Sequence, residues 1–310
     1  MSDPTLTGDP PGTRPCPVCG TGSETASLFL AENIDPDRMS GFSFASRKAP
    51  EYMSHCLVKC PTCDLVYVHV PPTQTRLAQA YHQAEFDSHD EADDAARAYA
   101  RAIEPVLARL TSRQSALEIG TGTGIFLDYL SAAGFETVVG VEPSTAAIEA
   151  APSHRRAWIR EGIFVENDFA PESFDLICCF MTLEHVLDPG SLARSALRLL
   201  RPGGALVTVT HDYQAPVNRI LGKKSPIIDI EHMQLFTARS LRELFARSGF
   251  ETVSVRGFRN RYALRYWARL APLPGIIGRL VMGALSATGA ADWKLAVNVG
   301  NLITSGTKPR

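Results

Sequence analysis

No uninterrupted run among the 310 residues reaches the roughly 18 to 20 apolar positions that a membrane-spanning helix needs. The opening stretch MSDPTLTGDPPGTRP lacks the apolar core of a secretory signal, and residues 1–14 read as a flexible lead-in. Neither sign of charge dominates: 31 Lys and Arg face 33 Asp and Glu, a net charge of −2. Whole-protein attraction to a phosphate backbone is therefore excluded, and nucleic acid is not an expected partner. The 23 Gly and 21 Pro follow no G-X-Y period, which removes the collagen-like and low-complexity classes. Disorder is excluded in turn, because 45% hydrophobic residues against 21% charged ones supply enough apolar area to offset the entropy of ordering. What is left is a packed protein expected in the cytoplasm, with the length of about two domains or one large domain and a satellite.

Cysteine is scarce, with seven in the chain, but four fall in matched pairs: Cys16-Pro-Val-Cys19-Gly20 and Cys60-Pro-Thr-Cys63-Asp64. Each pair has Pro after the first Cys and a small or turn-forming residue after the second. Such a turn aims two sulfurs at one point, and two turns complete the four ligands of a closed, structural zinc site. A four-thiolate set leaves no open coordination position, so a catalytic metal is not expected. Residues 15–73 then form a zinc-binding module, with strands leading into and out of the second knuckle and a stop at Pro71-Pro72. Cys56 is the rival ligand, although its place in His55-Cys56-Leu57-Val58 suits a packed strand side chain better.

Residues 74–112 read as a helical linker. The acidic cluster Asp87, Asp90, Glu91, Asp93 and Asp94 opens its long periodic segment, where negative charge suits a helix N-terminus. Tyr81 and Phe86 stand just before that segment, facing either a ligand or the next domain. From residue 113 the pattern changes. Ala116-Leu117-Glu118-Ile119 is an apolar strand that runs into Gly120-Thr121-Gly122-Thr123-Gly124 and then an amphipathic helix ending at Gly134. Glycines at such a turn let backbone pass close to a nucleotide-like ligand. A second strand, Thr137-Val138-Val139-Gly140-Val141, ends in Glu142-Pro143. An acidic side chain there accepts hydrogen bonds from ribose hydroxyls. The dinucleotide pattern G-x-G-x-x-G fails in both frames, since Ile125 and Leu127 occupy the third position.

The frame that fits is E-x-G-x-G-x-G starting at Glu118, and in it the chain resembles the class I S-adenosylmethionine-dependent methyltransferases. The resemblance continues through Ser173-Phe174-Asp175-Leu176-Ile177-Cys178-Cys179-Phe180 as a fourth strand and Met181-Thr182-Leu183-Glu184-His185 as the loop after it. Arg201-Pro202-Gly203-Gly204 is similar to the family's turn before strand five, Ala205 to Thr210. It implies an α/β fold, a Rossmann-like sheet with helices on both faces, over residues 113–310. It also implies S-adenosylmethionine as cofactor. Glu118, Gly120, Thr121, Gly122, Gly124 and Met181 would surround its methionine part, Glu142 and Pro143 its ribose, and Gly162 and Ile163 its adenine. Many relatives have Asp where Ile163 stands, so adenine contact here would rest on backbone and apolar packing.

A methyl donor that arrives already activated leaves the protein two tasks: to align an acceptor and, where needed, to remove its proton. Candidates must lie at the carboxyl ends of the strands. His232, in Ile230-Glu231-His232-Met233-Gln234, and His185 meet that condition. His232 with Glu231 is similar to the Glu-His pair of the zinc-knuckle sugar C-methyltransferases, which implies His232 as base and Glu231 as its orienter. Tyr81 and His185 are the expected substrate contacts. Those sugar enzymes normally carry an additional C-terminal domain; none is expected in this chain, which weighs against a sugar carbon as acceptor. The expected acceptor is a small metabolite, a sugar or a lipid-linked intermediate. A non-catalytic scaffold is opposed by the intact glycine turn and its acidic partner. An RNA methyltransferase is opposed by near-neutral charge and by Met181-Thr182-Leu183-Glu184 in place of an Asn/Asp-Pro-Pro-Tyr loop.

One segment is left over. Arginines stand at 256, 259, 261, 265, 269 and 279 with no acidic residue among them, and Arg261, Arg265 and Arg269 recur at helical spacing among Tyr262, Tyr266 and Trp267. A helical Arg-rich insertion at about 257–291 is expected. It reads as a lid, as a peripheral contact with a membrane or lipid-linked substrate, or as a docked helical pair with snorkelling arginines. A closing antiparallel strand, Leu295 to Ser305, follows.

Overall fold

The computed structural model of the chain describes residues 12–45, 51–86, 89–271, 273 and 275–310. Three short strands come first: β1 (Ser27–Leu30), β2 (Leu57–Lys59) and β3 (Val66–Val68). Helices α1 (Gln74–His82) and α2 (His89–Leu107) lead to β4 (Ser115–Ile119), α3 (Ile125–Ala132) and β5 (Thr137–Glu142). Then come α4 (Thr145–Ala150), α5 (Ser153–Arg156), β6 (Ile159–Glu161), β7 (Phe174–Phe180), α6 (Pro189–Leu199) and β8 (Leu200–His211). Next are α7 (Pro216–Leu221), β9 (Gln234–Leu235), α8 (Ala238–Arg247) and β10 (Glu251–Ala263). The chain closes with α9 (Leu264–Leu270), α10 (Gly275–Ala287) and β11 (Lys294–Thr307).

The large sheet has seven strands in the order β10-β11-β8-β7-β4-β5-β6. Five of them are parallel neighbours, and β11 lies antiparallel between β8 and β10. Every residue of β4 and β7 is buried, as expected for parallel strands covered on both faces. Alternation divides them cleanly. Leu117, Ile119, Ile177 and Cys179 pack with α6, α8 and the cysteine knuckles, whereas Ala116, Leu176, Cys178 and Val207 pack with α2 and α3. The expected α/β, Rossmann-like sheet with helices on both faces is therefore present, and both adjacent cysteines of β7 belong to its core.

A second sheet has the order β1-β2-β3-β9. Its last strand comes from the segment after β8, so the cysteine-rich part shares main-chain hydrogen bonds with the part that carries His232. Arg14, read from sequence as part of a flexible lead-in, donates to the carbonyls of Val68 (3.0 Å), Leu187 and Met233 (2.9 Å). A guanidinium has donors enough for three carbonyls on three segments, which fixes this end of the chain. Residues 1–11 lie outside the described residues, as does Asp87 of the acidic cluster.

Within residues 74–112, α1 ends at His82 and α2 begins at His89, and Ser144 Oγ donates to the Ala84 carbonyl in the break between them. Two sequence readings need correction. Arg201-Pro202-Gly203-Gly204 is not a turn that precedes a strand, because β8 already begins at Leu200 and the four residues form an irregularity in its pairing with β7. Arg256, Arg259 and Arg261 do not lie on a helix. They lie in β10, whose pairing with β11 runs on through Arg261↔Ala296 and Ala263↔Lys294, and that ladder overrides the four-residue spacing. Only Arg265 and Arg269 belong to α9, and Arg279 to α10. Pro272 and Pro274, read as the break between those helices, lie outside the described residues.

Candidate active site

The turn after β4 is built by backbone. Gly120 and Thr121 donate to the Val141 carbonyl at 2.9 and 3.1 Å, and Gly120, Gly122 and Gly124 all have positive φ. At Gly120 a Cβ would meet Thr182 Oγ1 at 2.2 Å, whereas at Gly122 it would meet nothing within 4 Å. The first glycine is thus required by a neighbour and the second faces open space. Glu142, buried at the end of β5, accepts from Gly122 N–H (2.7 Å) and Ser144 N–H (2.9 Å). Each carboxylate oxygen keeps a second lone pair for a ligand hydroxyl. Burial pushes the Glu142 pKa up, against the two N–H groups that pull it down.

This turn lines a cavity of about 1100 Å³. Isolated small-molecule sites run from about 300 to 1,000 Å³, so there is room for a cofactor and an acceptor together. Of the residues expected at the cofactor, Glu118, Gly120, Thr121, Gly122, Glu142, Pro143, Gly162, Ile163 and Met181 all line it. Gly124 does not. It caps α3, and a Cβ there would press on Ile159, Arg155 and Leu127 at 3.2–3.3 Å, so its role is packing.

The same cavity is also lined by Tyr81, His185, Glu231 and His232. His232 Nδ1 is 2.8 Å from the Ile227 carbonyl, which can only accept, so Nδ1 donates to it. The Glu231 carboxylate, expected from sequence to orient His232, lies within 4.8 Å of ring nitrogens of both His232 and His185. Its Oε2 is 3.7 Å from His185 Nδ1. Tyr81 Oη is 3.0 Å from His185 Nδ1 and donates to the Glu231 carbonyl at 3.1 Å. Burial first, and then the nearby carboxylates, hold its phenol well above the usual range. The rings of His185 and His232 are 4.9 Å apart.

Sequence reasoning missed two groups close to these residues. His211, at the tip of β8, lines the cavity with its ring 5.9 Å from His232, and its Nδ1 is 2.9 Å from Asn301 Oδ1. Burial and the neighbouring His232 lower its pKa to about 3, so it stays neutral. A histidine closing a parallel strand was the available signal, the same one that drew attention to His185. Glu184 is fully buried behind the wall, accepting from His211 N–H at 2.7 Å through Oε1 while Oε2 has no protein partner. Burial raises its pKa to about 8.

Away from the cavity, Cys16, Cys19, Cys60 and Cys63 have sulfurs that all lie within 4.8 Å of one another. The Cys16–Cys63 and Cys19–Cys60 sulfur pairs are each 3.5 Å apart. Four thiolates around zinc stand roughly 3.8 Å apart at a Zn–S distance of about 2.3 Å, so the arrangement fits that ion. The two turns repeat one geometry. Gly20 and Asp64 have φ of 75° and 62°, and their N–H groups donate to Cys16 and Cys60 carbonyls at 2.9 and 3.2 Å. Cys56 is not among the four.

Residues 86–255 match the family model described as a methyltransferase domain. The chain belongs to that family. Among curated proteins, this methyltransferase-domain chain is 31% identical over 117 residues to the ubiquinone biosynthesis O-methyltransferase of Pseudomonas fluorescens (strain SBW25), 34% of this chain and 49% of that protein. It thus spans about half the length of the curated relatives it matches. Similar solved structures include an S-adenosylmethionine-dependent methyltransferase of Thermotoga maritima (TM-score 0.47, 23% identity, 69% of this chain and 89% of that one). Another is phosphoethanolamine N-methyltransferase 2 of Haemonchus contortus in complex with S-adenosylmethionine (TM-score 0.44, 20% identity, 68% and 52%).

The two buried titrating groups predict how stability varies with pH. Glu184 keeps its proton to about pH 8 in the fold but only to roughly 4.3 when unfolded, so the folded state holds more protons between those values. Its contribution is present in full below about 4.3 and is lost as pH rises toward 8. His211 acts at the acid side: its contribution is present above roughly 6.5 and is lost as pH falls toward 3. Glu184→Gln should remove the first effect and spare the second. Thermal melting from pH 5 to 8 should show the variant gaining on the parent as pH rises, by on the order of a few kcal/mol. A constant gap across that range would contradict the assignment.

Proposed function

We propose that this chain transfers a methyl group from S-adenosylmethionine to a small-molecule acceptor, with His232 as general base. The observation that carries the reading is a single cavity lined by the glycine turn and Glu142 together with His185, His211 and His232. Gly120, Gly122, Glu118 and Met181 would hold the methionine part of the cofactor, Glu142 its ribose hydroxyls, and Gly162 with Ile163 its adenine. The cofactor supplies a methyl group on positively charged sulfur, open to in-line attack. His232 Nε2 bears a lone pair because Nδ1 is committed to the Ile227 carbonyl, and it takes the acceptor's proton. Tyr81 and the Glu231 carboxylate hold His185 as the second polar contact for the acceptor. The cavity's apolar lining from Tyr262, Tyr266 and Leu295 limits water around the acceptor.

The curated relatives are named for a small-molecule O-methylation, which favours an oxygen acceptor. The zinc knuckles and the Glu231-His232 pair favour a sugar carbon, as in the sugar C-methyltransferases. Both acceptors need a base in the position of His232. We read the four-cysteine cluster as a structural zinc site that holds residues 15–73 in place, and Tyr67, Val66 and Val68 as its hydrophobic link to β9.

Calorimetry with S-adenosylhomocysteine tests the cofactor site. Glu142→Ala should weaken binding by about 1.5–3 kcal/mol, the worth of hydrogen bonds to a charged group. His232→Ala should keep that affinity and lose about 10²–10⁴ in turnover. Failure of the parent to bind the product cofactor would refute the activity, and normal turnover of His232→Ala would refute the base.

Freshly purified protein should contain about one zinc per chain. Cys60→Ser should lose the metal and melt at lower temperature, since in such a module metal-binding energy is folding energy. Full zinc retention in that variant would remove Cys60 from the ligand set.

A further inference from the structure

Helix α10, Gly275–Ala287, carries the sequence GIIGRLVMGALSA, and none of its 13 residues is buried. Ile276 and Leu280 are each 68% exposed, and Trp293, in the loop that follows, is 67% exposed. Ile277, Leu273 and Leu295 add to the same exposed apolar set. Gly278, Val281, Met282 and Leu285 form a half-buried face of this helix, and Ile276, Ile277 and Leu280 are left as exposed apolar surface beyond it; large apolar side chains exposed together on one helix mark an interaction site.

We propose that α10, with Trp293 and Leu295 beside it, docks on the surface of an anionic lipid bilayer. Charge selects this occupant. No Asp or Glu occurs from residue 252 to 291, although the whole chain is net −2, and the interval holds six arginines. Arg259, Arg261, Arg269 and Arg279 are exposed, while Arg265 pairs with Asp292. Cations beside exposed Ile, Leu and Trp are what an interfacial helix presents to acidic headgroups and the acyl boundary. Length selects the mode. At 1.5 Å per residue α10 is about 20 Å long, short of the roughly 30 Å hydrocarbon core. No helix among the described residues is long and apolar enough to cross a membrane. It lies on the bilayer and does not span it.

α10 itself does not line the cavity, but the chain on either side of it does, through Tyr262, Tyr266, Trp267 and Ala271 before it and Leu295, Val297 and Val299 after it. A bilayer docked on α10 would therefore lie near chain that walls the cavity. The substrate class this favours is a polar group carried on a lipid tail. That extension rests on the methyl-transfer reading, whereas bilayer binding does not.

The test is co-sedimentation of the full chain with phosphatidylglycerol-containing vesicles and with pure phosphatidylcholine vesicles, without cofactor, at low and high salt. The parent should bind the anionic vesicles, and salt should weaken that binding. Ile277→Asp/Leu280→Asp should cut partition at least ~10-fold. These side chains face solvent, so its melting temperature should match the parent's. Arg259→Gln/Arg261→Gln/Arg279→Gln should weaken binding to anionic vesicles by about fivefold per arginine and leave the neutral ones unchanged. No binding of the parent at saturating anionic lipid would overturn the proposal, as would unaltered binding by the Asp variant. A parent that is dimeric by light scattering, ignores vesicles, and becomes monomeric with the Asp variant would show a subunit interface instead. Vesicle binding without methyl transfer would leave this inference standing and the activity refuted.

Discussion

The backbone of Met233 and Gln234 is the joint on which the cavity's histidines depend. The Met233 carbonyl accepts from Val68 N–H at 2.9 Å and from Arg14. The N–H groups of Met233 and Gln234 both donate to the Glu184 carbonyl, at 2.8 and 3.2 Å. The Gln234 side chain then donates to the Leu183 and Val186 carbonyls at 2.6 and 2.8 Å. Two residues thereby bind the cysteine-rich sheet, the loop after β7 and the loop after β8 to one another. His185 and His232 sit immediately beside the bonded positions, so their separation is set by main chain, which repositions less than side chains do. Disturbing the knuckles would reach the histidines through this joint without touching either ring.

Burial moves four groups at the cavity in one sense: it pushes Glu142, Glu184 and Tyr81 up and His211 down. Glu166, which also lines the cavity, goes the other way, held down by its bond with Arg198. Any charge brought into the buried part meets a weakly screening medium. A cationic ligand beside Glu142 would favour the ionised carboxylate and lower its cost of burial.

Much of this was legible because it is local. The glycine turn, Glu142 and the paired C-P-x-C knuckles are each fixed by a few adjacent residues whose spacing dictates backbone shape. Positive φ at Gly20 and Asp64 follows from the turn itself. What escaped depends on register between distant segments. His211 meets Asn301 because β11 pairs with β8 in one alignment, Asn301↔His211, and no local pattern encodes that match. The periodicity of Arg261, Arg265 and Arg269 misled for the same reason: β10 extends as far as its partner strand allows, whatever its side-chain spacing. Arg14 looked like part of a loose end because its three carbonyl partners come from segments far along the chain.

The placement of β11 between β8 and β10 has a consequence for how the protein is made. During synthesis β8 emerges well before the strand that will cover its open side, and β9, β10 and the four helices α7 to α10 are produced in the interval. Until β11 arrives, the nascent sheet presents the β8 edge with Leu206, Val207 and Val209 in it, a template for pairing with other chains. The sheet cannot zip up in the order of translation. The period before β11 leaves the ribosome is when this chain is most exposed to aggregation and has most need of a chaperone.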